Sequence, residues 1–202
     1  MAIFGDFLVV DYKIKEKDGD LSIETKEQGA LIIYGYNSIF NAIDIDIGRL
    51  KEGQEMEKEL NKHEAFGERD LSLVKTYPLS AFANADIREG QTLEFKGPYG
   101  PIQGTVKKIE AGRVTIDFNH PLAGKSVIVK VKLRKVIKDE IEKIKAFFKF
   151  AGLEVINVDR EKKVVTIAKI DDKKKEEINY ERFKSFDFPA FFPEYTIEEV
   201  EP

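Results

Sequence analysis

Ala65-Phe66-Gly67-Glu68-Arg69-Asp70 and Asn119-His120-Pro121-Leu122-Ala123-Gly124-Lys125 are the two stretches on which the organisation of this chain turns. Between them, residues 67–119 are rich in glycine and proline and hold short strand-like runs: Thr92 to Phe95, Ile102 to Ile109 and Arg113 to Phe118. Short apolar and β-branched runs set apart by turn residues describe a small β module. Ahead of these runs, within the same span, lies Leu73-Val74-Lys75-Thr76-Tyr77-Pro78-Leu79-Ser80-Ala81-Phe82. Just past the second stretch, Val127-Ile128-Val129-Lys130-Val131-Lys132-Leu133 alternates apolar and basic residues for much of its length, as a half-buried strand does.

Upstream, Phe7 to Tyr12 is apolar with β-branched content, and Lys15 to Asp20 supplies a turn with an Asp-Gly pair, so a strand leading into a hairpin is expected. Ala30 to Tyr34 is a second buried strand. Ile39, Ile43, Ile47 and Leu50 share one face of a short helix from Ser38 to Leu50, and Glu55 to Asn61 resumes the sheet. Beyond Lys138 the period changes. Ile141, Ile144, Phe147 and Phe148 repeat at helical spacing, with Asp139 near the start and Gly152 near the end. Strand candidates Leu153 to Val158 and Val164 to Ile170 flank a polar turn, and a charged helix follows from about Lys173. The tail carries Phe183, Phe186, Phe188, Phe191, Phe192 and Tyr195. These aromatics form either the compact core of a separate C-terminal α+β unit or a dimerisation surface, which makes a homodimer through that unit the candidate assembly.

At 202 residues the chain exceeds a typical single domain, so more than one compact unit is expected. Its 33 basic and 37 acidic residues are spread along the chain for a net charge of -4, which leaves no basic footprint for nucleic acid. The absence of cysteine excludes disulfides, thiolate metal sites and cysteine nucleophiles. No segment approaches the roughly 18 consecutive apolar residues of a membrane span. The first residues carry no basic region before an apolar stretch, so the expected location is cytoplasmic.

Ala65 to Asp70 resembles the flap of FKBP-type peptidyl-prolyl cis/trans isomerases, and Asn119 to Lys125 resembles the point where the chain re-enters that domain after an inserted chaperone module. Leu73 to Phe82 is similar to the opening of the insert, which points to the SlyD-like and archaeal branch. The resemblance implies an α+β fold: an FKBP-like half-wrapped antiparallel sheet with a short helix from residues 1–66 and 120–137, an insert-in-flap chaperone domain at 67–119, and a C-terminal α+β unit at 138–202. It implies a peptidyl-prolyl cis-trans isomerase and folding chaperone whose partners are unfolded polypeptides containing proline. The alternative is a catalytically weakened or inactive holdase on the same scaffold.

Rotation about an X-Pro bond must break amide resonance against a barrier of about 18–20 kcal/mol. A catalyst for it needs no nucleophile, metal or cofactor, only a dry pocket for the prolyl ring and hydrogen bonds that favour the twisted amide. By resemblance, Tyr12 stands in the first pocket strand, Glu24 at the acidic position after the turn, Ile39 and Phe40 at the apolar pair before the helix, Ile43 at the pocket floor and Phe66 in the flap. Phe40 would supply the backbone N–H that anchors substrate. Phe66 replaces the usual tyrosine, and Ala30 and Val129 replace aromatic residues that usually narrow the pocket. In the insert, Tyr77, Leu79, Phe82, Phe95 and Tyr99 are the candidates for holding unfolded chains, through exposed apolar side chains beside an open strand edge. His120 is assigned a structural hydrogen-bonding role and His63 none.

Overall fold

Buried Leu8, Val10 and Ile14 alternate with exposed Lys13 and Lys15, and this makes Phe7–Glu16 a strand, β1. The computed structural model describes every residue except Asn37, residues 83–85, Pro98, Tyr99 and Pro202. After the turn at 17–20 come β2 (Ser22–Glu24) and β3 (Ala30–Ile33). β3 runs antiparallel to the start of β1, with Phe7 opposite Ile33 and Val10 opposite Ala30. Helix α1 (Asn41–Arg49) buries Ile43, Asp44, Ile47 and Gly48, as the isoleucine spacing requires. Gly48 is dictated by packing, since a Cβ there would sit 2.3 Å from the Tyr34 ring. β4 (Glu55–Leu60) follows.

Four strands then form a sheet of their own: β5 (Val74–Pro78), β6 (Thr92–Gly97), β7 (Gly100–Glu110) and β8 (Arg113–Asp117). Their order is β5-β8-β7-β6, antiparallel throughout. Ala111 and Gly112, at φ 48 and 71, make the tight connection between β7 and β8, the geometry that matches the right-handed twist of a hairpin. Val106, Val114 and Ile116 are fully buried, and Tyr77, Phe82, Leu93, Phe95 and Phe118 pack around them. β9 (Val127–Ile137) buries Val127, Val129, Val131 and Leu133 while exposing Lys130, Lys132 and Arg134. It lies between β1 and β4 in a sheet of order β2-β1-β9-β4, with β3 joined to β1. The strand expected from the alternating run therefore does complete the N-terminal sheet.

The C-terminal residues begin with α2 (Glu140–Phe150), capped by the Asp139 carboxylate, which accepts the Glu142 N–H. β10 (Val155–Asp159) and β11 (Val164–Ala168) form an antiparallel pair, and β12 (Thr196–Val200) lies parallel to β11. Between β11 and β12 run α3 (Asp172–Glu177), α4 (Tyr180–Arg182), a π-helical turn at Phe183–Asp187 and α5 (Phe188–Phe191). Phe183, Phe188, Phe192 and Tyr195 are buried with Ile144, Phe148, Val165 and Ile167, and the same core takes in Phe7, Ile33 and Ile137. Most of the tail aromatics are thus core, whereas Phe186 is 71% exposed.

The chain separates into two compact units. One comprises Met1–Lys13, Glu24–Glu57 and Lys130–Pro202, and the other Ile14–Ile23 and Lys58–Val129. Among the described residues no helix is long and apolar enough to cross a membrane.

Candidate functional site

Within the second unit, the two motifs that flank residues 71–118 meet. Asn119 Oδ1 accepts the Asp70 N–H at 2.8 Å, and Asn119 Nδ2 donates to the Asp70 carbonyl at 2.8 Å and to Asp117 Oδ1 at 2.7 Å. Arg69 closes on Asp117 Oδ2 at 2.6 Å, and the Gly124 N–H donates to the Gly67 carbonyl at 2.8 Å. Asp70 also caps the turn at Leu71–Leu73 by accepting the Ser72 N–H at 2.7 Å. These bonds tie the outgoing chain to the returning chain. Burial pushes the Asp117 carboxyl up, but the hydrogen bonds from Asn119 and the nearby Arg69 and Lys107 outweigh it, so its pKa falls below the ordinary value.

Phe66 stacks flat on His120, with ring centres 4.0 Å apart and planes 6° from parallel. His120 Nδ1 accepts the Leu122 N–H at 3.2 Å, the structural role expected of it. An accepting Nδ1 places the proton of the neutral ring on Nε2. Burial holds the His120 pKa below its ordinary 6.5. The unfolded chain therefore takes up this proton first as pH falls, and stability rises with pH across the window that opens downward from 6.5. The urea midpoint should drop on acidification from pH 7 toward 5, and His120→Gln should flatten that drop. An equally steep loss in the variant would assign it to other groups. Asp70 and Asp117, both lowered, act below the ordinary carboxylate value of 3.8.

In the first unit, Tyr12 and Glu24 are brought together. They line a cavity of about 280 Å³ with Asp11, Lys13, Thr25, Glu55, Lys130 and Lys132. Thr25 fastens this edge: its N–H donates to the Tyr12 carbonyl at 3.0 Å, and the Tyr12 N–H donates to Thr25 Oγ1 at 3.3 Å. Glu24 is exposed and pairs with Lys13 at 3.2 Å. A bidentate Arg134 contact at 2.7 and 2.5 Å holds the Asp11 carboxyl below its ordinary pKa. Apart from Tyr12 the lining of this cavity is charged or polar.

Ile39, Phe40 and Ile43 stand together at the start of α1 in the same unit. Phe40 is 9% exposed and extended at φ -141, and its carbonyl accepts the Ile43 N–H at 3.1 Å. Ile43 is fully buried, and Ile39 is half-buried. Phe66 and Val129 belong to the second unit, Val129 fully buried in β9.

The insert candidates divide. Tyr77, Phe82 and Phe95 form a half-buried aromatic cluster with Phe118: Tyr77 to Phe82 6.3 Å, Phe82 to Phe95 6.4 Å and Phe95 to Phe118 5.1 Å. Gly104 makes room for it, because a Cβ there would lie 2.8 Å from the Phe118 ring. Leu79 is 39% exposed, and Tyr99 lies outside the described residues. Sequence reasoning did not single out Asp117 or Phe118. The signal for Asp117 was its place two residues before Asn119, the spacing at which a carboxylate accepts the later N–H, here at 3.1 Å.

No family model matches this chain. It is 30% identical over 155 residues to the short-type peptidyl-prolyl cis-trans isomerase of Methanocaldococcus jannaschii, a match covering 68% of this chain and 96% of that protein. Against the FKBP-type 16 kDa peptidyl-prolyl cis-trans isomerase of Escherichia coli the identity is 27% over 133 residues, 64% of this chain and 89% of that one. The FKBP-type peptidyl-prolyl cis-trans isomerase SlyD of the same organism is 23% identical over 147 residues, 70% of this chain and 75% of its own. With the flap and re-entry motifs joined and a near full-length relative at this level of identity, the chain belongs to the FKBP-type peptidyl-prolyl cis-trans isomerases, a family of enzymes.

Proposed function

We propose that this protein catalyses cis–trans isomerisation of X-Pro bonds in unfolded polypeptides, with residues 67–119 acting as an insert that holds those chains. The observation that carries the proposal is the closure of Asp70 on Asn119, which returns the chain to the flap after a self-contained sheet. Such a tether would keep a held substrate near the isomerase residues at far above its bulk concentration. In this assignment residues 1–66 and 120–137 form the isomerase domain, and 138–202 form an appended α+β domain. In the first unit Tyr12, Ile39, Phe40 and Ile43 are the residues proposed to contact or shape the prolyl site, with Glu24 at its acidic position, and Phe66 and Val129 are the candidates that the second unit supplies.

A weakened catalyst acting mainly as a holdase is the second reading, and two observations favour it. Phe66 has no hydroxyl and one ring face covered by His120, and the cavity beside Tyr12 is lined by charged side chains. Proline-limited refolding of a client separates the two. Its uncatalysed slow phase takes roughly tens to hundreds of seconds, and an isomerase accelerates it at substoichiometric amounts. In that assay Phe66→Tyr should raise the rate constant by up to about tenfold, the equivalent of about 1.4 kcal/mol for one hydrogen bond to the twisted amide. An unchanged rate, with the new hydroxyl shown to reach bound peptide, would remove Phe66 from the catalytic account.

A further inference from the structure

We propose that Lys143 is a positioning residue for the loop that delivers Ile39 and Phe40, so that helix α2 of the C-terminal residues supports the isomerase site. The inference rests on the isomerase assignment above. Lys143 Nζ lies 3.2 Å from the Gly5 carbonyl, 3.5 Å from the Asp6 carboxylate and 5.7 Å from the centre of the Phe7 ring. Asp6 is only 3% exposed. A carboxylate at that depth carries a desolvation cost that a nearby cation and donated hydrogen bonds offset. Lys143 supplies the cation, and the Ile3 N–H donates to Asp6 Oδ2 at 3.0 Å.

The residues so fixed grip the loop. The Gly5 N–H donates to the Tyr34 carbonyl, and the Tyr34 N–H donates to the Asp6 carbonyl, each at 3.0 Å. The Phe4 ring lies on Gly35, where any Cβ would come within 2.2 Å of it. From α1, buried Asp44 accepts the Gly35 N–H at 3.0 Å. Ser38 Oγ accepts the Ile33 N–H at 3.0 Å and donates to the Ile33 carbonyl at 3.3 Å. Tyr34 and Gly35 are thus held by the N-terminal segment and by α1, and Ser38, just before Ile39 and Phe40, is held by Ile33 of β3. Lys143 reaches the site through Gly5 and Asp6 and touches no substrate itself. Preorganised donors lose their effect steeply with displacement, about a hundredfold in rate for a shift of about 1 Å.

The test uses the full-length protein with Lys143→Met, Lys143→Arg and the double variant Asp6→Asn with Lys143→Met, which leaves no unpaired buried carboxylate. Two readouts apply: kcat/KM on a proline-containing peptide, and backbone amide exchange resolved by residue. Lys143→Met should lower kcat/KM at least about fivefold, chiefly through kcat, and speed exchange at Gly5, Tyr34 and Gly35 while the α2 core stays protected. Lys143→Arg should restore both. If Lys143→Met does not fold, the double variant takes its place, with the same two changes expected. Wild-type kcat/KM and exchange in the folded variant would overturn the proposal, as would faster exchange spread evenly through the α2 core. An inactive wild-type protein would instead refute the isomerase assignment, and exchange at Gly35 alone would then judge the role of Lys143.

Discussion

Replacing residues 71–118 with a short glycine-serine link should abolish suppression of client aggregation and leave the N-terminal sheet folded. Asp70 and Asn119 already exchange two hydrogen bonds at 2.8 Å, so the link has almost no distance to span. Loop closure is correspondingly undemanding, changing by only about 0.6 kcal/mol for each doubling of length. What the deletion removes is a sheet with its own core and a face of half-buried aromatic rings, Tyr77, Phe82, Phe95 and Phe118, near exposed Leu79 and Ile102. Apolar groups of this kind adhere to unfolded chains without sequence selectivity, and the outer strands β5 and β6 offer backbone pairing. Light scattering of a denatured client, diluted into buffer with either protein, reads the outcome. Undiminished protection by the shortened chain would move the holding surface elsewhere, with exposed Phe4 and Phe186 the next candidates.

Asn119→Ala should lower stability by about 2–3 kcal/mol, and the melting temperature by about 5–10 °C, because one side chain makes two of the bonds that join the two motifs and a third to Asp117. Each is worth about 1 kcal/mol net, and truncation leaves the Asp70 N–H and carbonyl to find water. Asn119→Asp should cost more, since it sets a second carboxylate against Asp117 in place of a donor at 2.7 Å. Arg69→Met should cost less than either, because Lys107 remains 4.0 Å from Asp117. Chemical unfolding of the three variants ranks them. An Asn119→Ala protein as stable as the parent would mean that the joint is held by packing alone.

The elements legible beforehand were those whose pattern is local. Ile43 and Ile47 repeat at the helical period and form the buried face of α1, and Val127 to Leu133 alternate as β9 does. β5 escaped notice because its residues are mostly exposed and their partners lie far along the chain, Val74 opposite Asp117 and Pro78 opposite Arg113. β12 escaped for a similar reason, since it is acidic and pairs in parallel with β11 across the intervening helices. In the candidate site, each motif could be quoted separately, but the stack of Phe66 on His120 exists only once the chain has returned. The charged lining beside Tyr12 was equally hidden, because Lys130 and Lys132 reach that cavity from a strand remote in sequence.

One core in this protein joins Phe7 and Ile33 to Phe188, Phe192 and Tyr195, residues from opposite ends of the chain. During synthesis the N-terminal strand therefore leaves the ribosome with its apolar partners still untranslated, and that core can close only after the last helices emerge. The sheet of β5 to β8 faces no such wait, since all its strands lie between Val74 and Asp117 and it encloses its own buried residues. The two parts consequently mature in order. The surface proposed to hold unfolded chains would be complete while the remainder of the molecule was itself still an unfolded chain, placing its own N-terminal segment among the first polypeptides within reach.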